Sequence, residues 1–398
     1  MNLPTSDIEN FKKQMMSPNT ELGANRSSNK EGLKKIQKTL VLSYNSDYTG
    51  CGFIRNIIPM TYMNSVFGKD RNFQTIISPH MIFQPDVLEK TRSIFFQRTM
   101  APQSVDVIKH YKKLQKQYRF KMVYDIDDFI WDGDVDGEEI PEYNFGKISI
   151  DTEVQNAAIE NMKMMDTVCV STKFLGDYIA SKGIDPDKIE IIHNTLPAYL
   201  WGTDKVAPKT EKIKKPRIMW SASPTHWHNE HKLAGDMDNA WREWIINAVN
   251  ADKIEYIQMG GLPWFFESIK DKIQVIEWVD SLNYPGVVKS INADFGISPL
   301  VPNYFNYSKS AIKYQEYCVA GVLGIGTVFD NGKPSPYDVS ITRVSDNITI
   351  DEIDDLIFNK LCDPVVYNDV ITQQYQQVID NAWTTESPAY INKITSLL

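Results

Sequence analysis

The stretch TLVLSYNSDYTGCGFIRNII, Thr39–Ile58, decides the fold class. Its first seven residues are a strand-length run rich in apolar side chains. DYTGCGF follows, with glycines at positions 50 and 52 that permit a tight turn. Ile57, Ile58 and Tyr62 then recur at helical spacing. Strand, glycine turn and helix in that order open a parallel β-α-β unit. The same grammar continues downstream. FQTIIS (73–78), SIFFQR (93–98), KMVYDI (121–126), TVCVST (167–172) and IEIIHN (189–194) read as strands, with helical patterns over 104–117, 152–165 and 172–182. The first half is therefore expected to be a Rossmann-like parallel sheet.

A Lys-, Pro- and Thr-rich stretch, 202–215, interrupts the pattern, which restarts at RIMWSAS (217–223). A long helix is expected near 230–250. EYIQMG (255–260), KIQVIEWV (272–279), ADFGISPL (293–300) and GVLGIGT (321–327) supply further strands. A second α/β domain of similar size is the simplest reading, and a chain of 398 residues is too long for one core. The expected division is a flexible leader over 1–38, a first domain over 39–201, a linker over 202–216, a second domain over 217–367, and a helical tail over 368–398 carrying Trp383 and Tyr390 as docking aromatics.

Composition limits the function classes. With 42% hydrophobic and 23% charged residues and no apolar run near 20 residues, neither a disordered chain nor a membrane span is indicated. The N-terminal stretch lacks the apolar centre of a signal peptide, so a cytoplasmic location is expected. Cys51, Cys169, Cys318 and Cys362 lie far apart and read as reduced thiols. A net charge of −9 argues against a polyanionic partner. Two basic strips, 110–121 and 205–217, could still track a phosphate backbone, but a solvated helix face and a charged linker is the favoured reading.

Two parallel-sheet domains hold ligands in the cleft at the carboxyl ends of their strands. Gly50 and Gly52 allow close backbone approach there, and Arg55 lies one helical turn further on. Arg98 ends its strand, placed either to grip an anion or to pair with a neighbouring aspartate. Small residues Ser221 and Ser223 open the second domain's first turn, where amides can face a phosphate. His226, His228 and His231 lack the spacing of a zinc site, and His226 is read as a polar ligand contact. Ser308 is expected to cap a helix running to Ala320 and ending at Gly321, with Lys309 in its first turn, Lys313 a turn later and Glu316 beyond. A cation in a first helical turn opposes the macrodipole unless an anion shares the site, and a diphosphate would supply one.

At these residues the sequence resembles the GT-B glycosyltransferases, through TGCGFIR, FQR, YDIDD, WSASPTH and FNYSKSAIKYQEY, over roughly 39–338. The resemblance implies two facing Rossmann-like domains. The second holds a nucleotide-sugar donor, the first holds the acceptor, and a C-terminal helix crosses back. It implies a UDP-sugar as co-substrate, no tightly bound cofactor, and no divalent metal at the donor site. Lys309 and Lys313 would serve the diphosphate and Glu316 the ribose. Retaining relatives carry two Glu residues eight positions apart; Glu316 matches the second, but Ser308 stands at the first. The chain also resembles the glycosyltransferases of T-even-like phages that place glucose or arabinose on hydroxymethylcytosine, so DNA is the leading expected acceptor. A surface or lipid-linked saccharide is the alternative, and an epimerase or a binding-only protein on the same fold is held beside them.

The acidic stretch VYDIDDFIWDGDVDGEE, 123–139, divides in two. Asp132, Asp134, Asp136 and Gly137 imitate the start of a calcium loop, but position twelve is Tyr143 and Pro141 interrupts, so a solvated or acceptor-facing loop is expected. Asp127 and Asp128 follow a strand at the cleft edge. They read either as acceptor-side carboxylates, one of them a base, or as buried partners of Arg55 or Arg98.

Overall fold

The computed structural model describes residues 38–67, 74–131, 151–202, 208–381 and 383–398. The calcium-like loop, and the expected leader except Lys38, lie outside these residues. Six parallel strands form the first sheet: β1 (Leu40–Tyr44), β2 (Gln74–Ser78), β3 (Thr91–Gln97), β4 (Lys121–Ile126), β5 (Thr167–Val170) and β6 (Ile189–Ile191), in the order β2-β1-β3-β4-β5-β6. The central strands are buried on both faces, which is why they read as continuous apolar runs rather than alternating ones. The second sheet contains β7 (Arg217–Ser221), β8 (Glu255–Met259), β9 (Gln274–Ile276), β10 (Phe295–Ser298), β11 (Leu323–Val328) and β12 (Arg343–Ser345), ordered β12-β11-β10-β7-β8-β9 and again parallel.

Both strand orders reverse direction once. The first chain path leaves β1 toward β2 and returns to β3 on the other side; the second runs β7, β8, β9 and returns to β10. A crevice opens at each such switch point, outside the carboxyl ends of the strands. The segments after β1 and β3, and those after β7 and β10, therefore meet in one cleft.

Aromatic side chains join the two domains beside that cleft. Phe129 and Phe174 of the first domain lie with ring centroids 5.8 Å from Tyr304 of the second, and Phe174 is 5.5 Å from Tyr307. Thr172 Oγ1 donates to the Ser308 carbonyl at 2.9 Å across the same junction. The tail completes the connection. Helix Pro364–Asp380 packs on the second sheet, where Gln374 bonds both the amide and the carbonyl of Gly324 at 3.0 and 2.9 Å. The chain then passes Leu196, whose amide donates to the Trp383 carbonyl at 3.0 Å. Helix Pro388–Leu397 buries Tyr390, Ile391 and Ile394 against Val41, Phe95 and Val123 of the first sheet. The crossing thus falls between Asn381 and Ser387, later than the expected boundary at 368.

Three expectations change. Helix 230–250 starts only at Asn239, capped by Asp238, whose carboxylate accepts the Trp241 amide at 2.9 Å. Residues 304–320 form two helices, Tyr304–Tyr307 and Ile312–Ala320. Ser308 closes the first instead of capping the second, and its hydroxyl donates to the Phe305 carbonyl. Gly321 does end the second helix, at φ 78°. Finally, the described residues of the two basic strips lie away from the cleft. Helix Ser104–Tyr118 starts near the carboxyl end of β3 and runs back to the amino end of β4, where Lys121 pairs with Ser93. Residues 208–217 likewise lead into the amino end of β7.

Candidate functional site

The first domain's wall is built from the turn after β1 and from residues 98 and 127–128 after β3 and β4. Asp47 Oδ1 accepts the amides of Thr49 and Gly52 at 3.0 and 3.1 Å and shapes the glycine turn. The two glycines differ in purpose. A Cβ on Gly52 would fall 2.0 Å from the Asp47 carbonyl oxygen, so that position is glycine for backbone packing. A Cβ on Gly50 would meet nothing within 4 Å, and Gly50 borders the cleft. The following helical run, Gly50–Phe67, contains π-helical turns at Phe53–Ile57 and Met63–Phe67. The first of these carries Arg55 inward. Its guanidinium grips Asp125 through Nε at 3.1 Å and Nη2 at 2.6 Å, and also bonds Asn194 and the Ile192 carbonyl. Arg55 is 4% exposed and does not reach the cleft, so no anion site forms there.

Arg98 takes the other alternative as well. It adopts φ 46°, a left-handed conformation uncommon outside glycine, and donates through Nη1 to Asp128 at 3.2 Å. It nevertheless borders the cleft, where its Nε is buried without a hydrogen-bond partner. Asp127 beside it is 6% exposed, and its Oδ1 is likewise unpartnered. Burial and the neighbouring Asp128 charge push the Asp127 carboxyl up to about 7, against the pull of Arg55 and Arg98. The wall thus offers one buried acceptor atom and one buried donor atom with free valences.

The second domain's wall carries the lysines. Lys313 sits in the first turn of helix Ile312–Ala320 and donates to Glu316 at 2.8 Å and to the Tyr284 hydroxyl at 3.0 Å. Tyr284 in turn donates to Glu316 at 2.9 Å and lies 2.8 Å from Ser221 Oγ. Burial opposes the Lys313 charge, but Glu316 holds its pKa above the ordinary lysine value. Lys309 precedes the helix instead of entering its first turn, so the macrodipole argument applies to Lys313 alone. Lys309 Nζ is 3.2 Å from Asp236 and lies 4.6 Å from the centre of the Phe305 ring. His226 Nδ1 is 2.7 Å from the same carboxylate. His228 and His231 pair with each other, their rings 4.4 Å apart. At the end of β7 the Ser221 amide donates to the Tyr317 hydroxyl at 3.0 Å, and just after it the Ala222 amide donates to the Met259 carbonyl at 3.0 Å.

Among the described residues, Cys51, Asp127 and Asp128 bring potential metal-ligand atoms within 4.8 Å of one another. Two of these groups already have partners. The Cys51 thiol donates to Asp128 at 3.0 Å. Arg98 already neutralises Asp128.

Of the residues singled out in the sequence, Gly50, Arg98, Asp127, Asp128, Ser221, Ser223, His226, Lys309, Lys313 and Glu316 border the cleft together. Gly52, Arg55 and Ser308 stand behind it. Sequence reasoning missed Asp236 and Tyr284. Asp236 was hidden inside a helix drawn from residue 230. The Asp-Asn pair before Ala240 and Trp241 was a capping signal that would have ended the loop at Asp238 and left Asp236 outside the helix. Tyr284 carries no local signal, since its partners lie 63, 32 and 29 residues away.

No family model matches the chain, and no curated protein matches it in sequence. Solved structures do match its fold. Anabaena HepE in complex with UDP-glucose gives a TM-score of 0.56 at 10% identity, covering 90% of this chain and 100% of that one. Sucrose-phosphate synthase from Thermosynechococcus elongatus gives 0.53 at 10% identity, covering 91% and 98%. The lipopolysaccharide outer core galactosyltransferase WaaB, in its apo form, gives 0.50 at 10% identity, covering 90% and 99%. At these identities the likeness concerns architecture. The chain has the GT-B fold, two facing Rossmann-like domains with a cleft between them and a C-terminal crossover helix.

Proposed function

We propose that the protein is a glycosyltransferase that moves a sugar from a UDP-sugar to an acceptor hydroxyl. The observation that carries this reading is the complementarity of the two cleft walls. Lys309, Lys313 and Glu316 line one side; Asp127 and Arg98, which each keep one buried polar atom without a partner, line the other. A hydroxyl is the group that satisfies the second pair, donating to Asp127 and accepting from Arg98. Asp127 then takes the hydroxyl proton as the oxygen attacks the anomeric carbon. The bond from that carbon to the diphosphate breaks, and UDP leaves with the electron pair, its charge met by Lys309 and Lys313. HepE bound to UDP-glucose on the same fold supports the choice of donor.

For the acceptor, 5-hydroxymethylcytosine in DNA is the candidate that the phage resemblance supplies, with glucose or arabinose as the sugar. A saccharide hydroxyl is the second reading, favoured by one specific observation: the described residues of the basic strips, 110–121 and 208–217, lead to the amino ends of the sheets. The test is incubation with a panel of UDP-sugars and hydroxymethylated DNA, plain DNA or saccharide acceptors, followed by weighing the products. Acceptor-dependent UDP release with a matching mass gain supports transfer, and the acceptor that gains mass decides between the two. Interconversion of UDP-sugars with no acceptor present would make the protein an epimerase. No affinity for UDP or any UDP-sugar would overturn the reading.

A further inference from the structure

Asp236 lies in the segment between β7 and helix Asn239–Asn250 and is 2% exposed. Three donors converge on it. His226 Nδ1 is 2.7 Å and Lys309 Nζ 3.2 Å from its Oδ2, and Asn306 Nδ2 is 2.5 Å from its Oδ1. The ammonium and the amide NH2 have only hydrogens to offer, so both carboxylate oxygens must present lone pairs to them. Burial pushes the Asp236 carboxyl up, but Lys309, His226 and Asn306 outweigh it and hold it at about 2, so it is ionised at neutral pH.

An ionised carboxylate fixes the histidine tautomer. A bare ring nitrogen 2.7 Å from the carboxylate would set lone pair against lone pair, so Nδ1 carries the proton and donates it. Lys309 Nζ is also 3.4 Å from Nδ1. With that nitrogen's proton already directed at Asp236, this second approach is proximity and not a hydrogen bond. The charged groups facing the imidazole are Asp236, Lys309 and Lys313. Burial and the two lysines lower the imidazole pKa below its ordinary value, against Asp236, and the ring is neutral at neutral pH. A neutral ring protonated on Nδ1 leaves Nε2 as a bare acceptor.

His226 borders both halves of the cleft: the half that includes Trp278 and Met259, and the half that includes Asp127 and Arg98. Phosphate oxygens of a diphosphate carry no hydrogen at neutral pH and have nothing to give a bare nitrogen; a hydroxyl does. We propose that Asp236 is a positioning residue that locks His226 with Nε2 as an acceptor, and that this nitrogen forms a subsite for a hydroxyl of the donor's sugar, leaving the phosphates to the lysines. The identity of the ligand rests on the glycosyltransferase reading; the tautomer does not.

The test separates the two parts. Long-range proton–nitrogen correlation spectra of the 15N-labelled full chain at neutral pH report which ring nitrogen of His226 is protonated, with His226→Gln supplying the assignment. The expected result is a protonated Nδ1 and a bare Nε2 in the wild type, and loss of that single tautomer in Asp236→Asn. A wild-type ring protonated on Nε2, or on both nitrogens, would overturn the proposal without recourse to any variant. Calorimetric titration of UDP and UDP-glucose into wild type and His226→Phe then reads the ligand. The variant should lose about tenfold in affinity for UDP-glucose, the value of one hydrogen bond, and keep its affinity for UDP. Equal losses for both ligands would contradict the hydroxyl assignment and make His226 a phosphate contact. A wild type that binds neither ligand would overturn the sugar subsite together with the glycosyltransferase reading, whatever the tautomer.

Discussion

The two walls of the cleft use the same parts for different ends. Each holds two cation–carboxylate pairs and one further titratable group. On the first side the pairs are Arg98–Asp128, which borders the cleft, and Arg55–Asp125, which stands behind it, and the further group is Asp127. On the second they are Lys309–Asp236 and Lys313–Glu316, and the further group is His226. The difference lies in the cations and the balance. The first wall's guanidiniums serve three aspartates, so one carboxyl is left in surplus and its proton affinity rises. The second wall's lysines are matched one to one with carboxylates. A planar guanidinium fastens structure, whereas an ammonium on a flexible stem can be redirected to a phosphate. Under the glycosyltransferase proposal, the wall with the surplus carboxyl serves proton removal and the matched wall the diphosphate.

The largest expected effect comes from removing the surplus. Asp127→Asn should lower turnover by about 10²–10⁴-fold, the range of a lost general base, with UDP affinity unchanged. Steady-state kinetics beside a UDP titration checks it, and wild-type turnover in the variant would put the chemistry elsewhere. Next, Arg55→Ala breaks a buried pair and should cost about 3–5 kcal/mol of stability, read by urea unfolding. Arg98→Ala, at a partly exposed pair, should cost much less. Similar losses in both would erase the distinction drawn within the first wall. On the second wall, Lys313→Ala and Glu316→Ala should each weaken UDP binding by about 10–100-fold, the value of one hydrogen bond to a charged group. Unchanged affinity in both would remove the donor site from this wall.

The last expected effect is a pH dependence. Asp127 holds its proton up to about 7 in the folded chain, whereas an unfolded aspartate releases it near 4. Between those values the folded state binds more protons, so Asp127 contributes stability that is present at low pH and lost as pH rises toward 7. Asp127→Asn should flatten that part of a stability–pH curve. Activity runs the other way, rising through about 7 as the carboxylate forms. His226, with its pKa below the ordinary histidine value, adds at most a lower limb that survives in Asp127→Asn.

The fold was legible because each central strand of a parallel sheet is a short apolar run followed by a turn, a signal that survives without neighbours. β12 escaped notice because three residues, Arg343–Ser345, carry no period. The site was legible as far as position goes, since residues after strands must face the cleft. Pairing was not. Whether Asp125, Asp127 or Asp128 takes Arg55 depends on a π-helical turn that rotates the arginine inward, and a sequence pattern of 3.6 residues per turn cannot show it. Lys309 was assigned to a helix that starts three residues later, because Ser308 resembles an N-cap while the segment's helix start is capped by Asn303, whose side chain accepts the Asn306 amide at 2.9 Å. Asp236 meets Lys309 from 73 residues away, through a loop whose course only the folded chain reveals.

The division of labour between the walls can be measured in one comparison, by titrating UDP calorimetrically into the wild type, Asp127→Asn and Lys313→Ala. The account predicts wild-type affinity in Asp127→Asn and a loss of about 10–100-fold in Lys313→Ala. UDP affinity that falls with Asp127 and ignores Lys313 would contradict it.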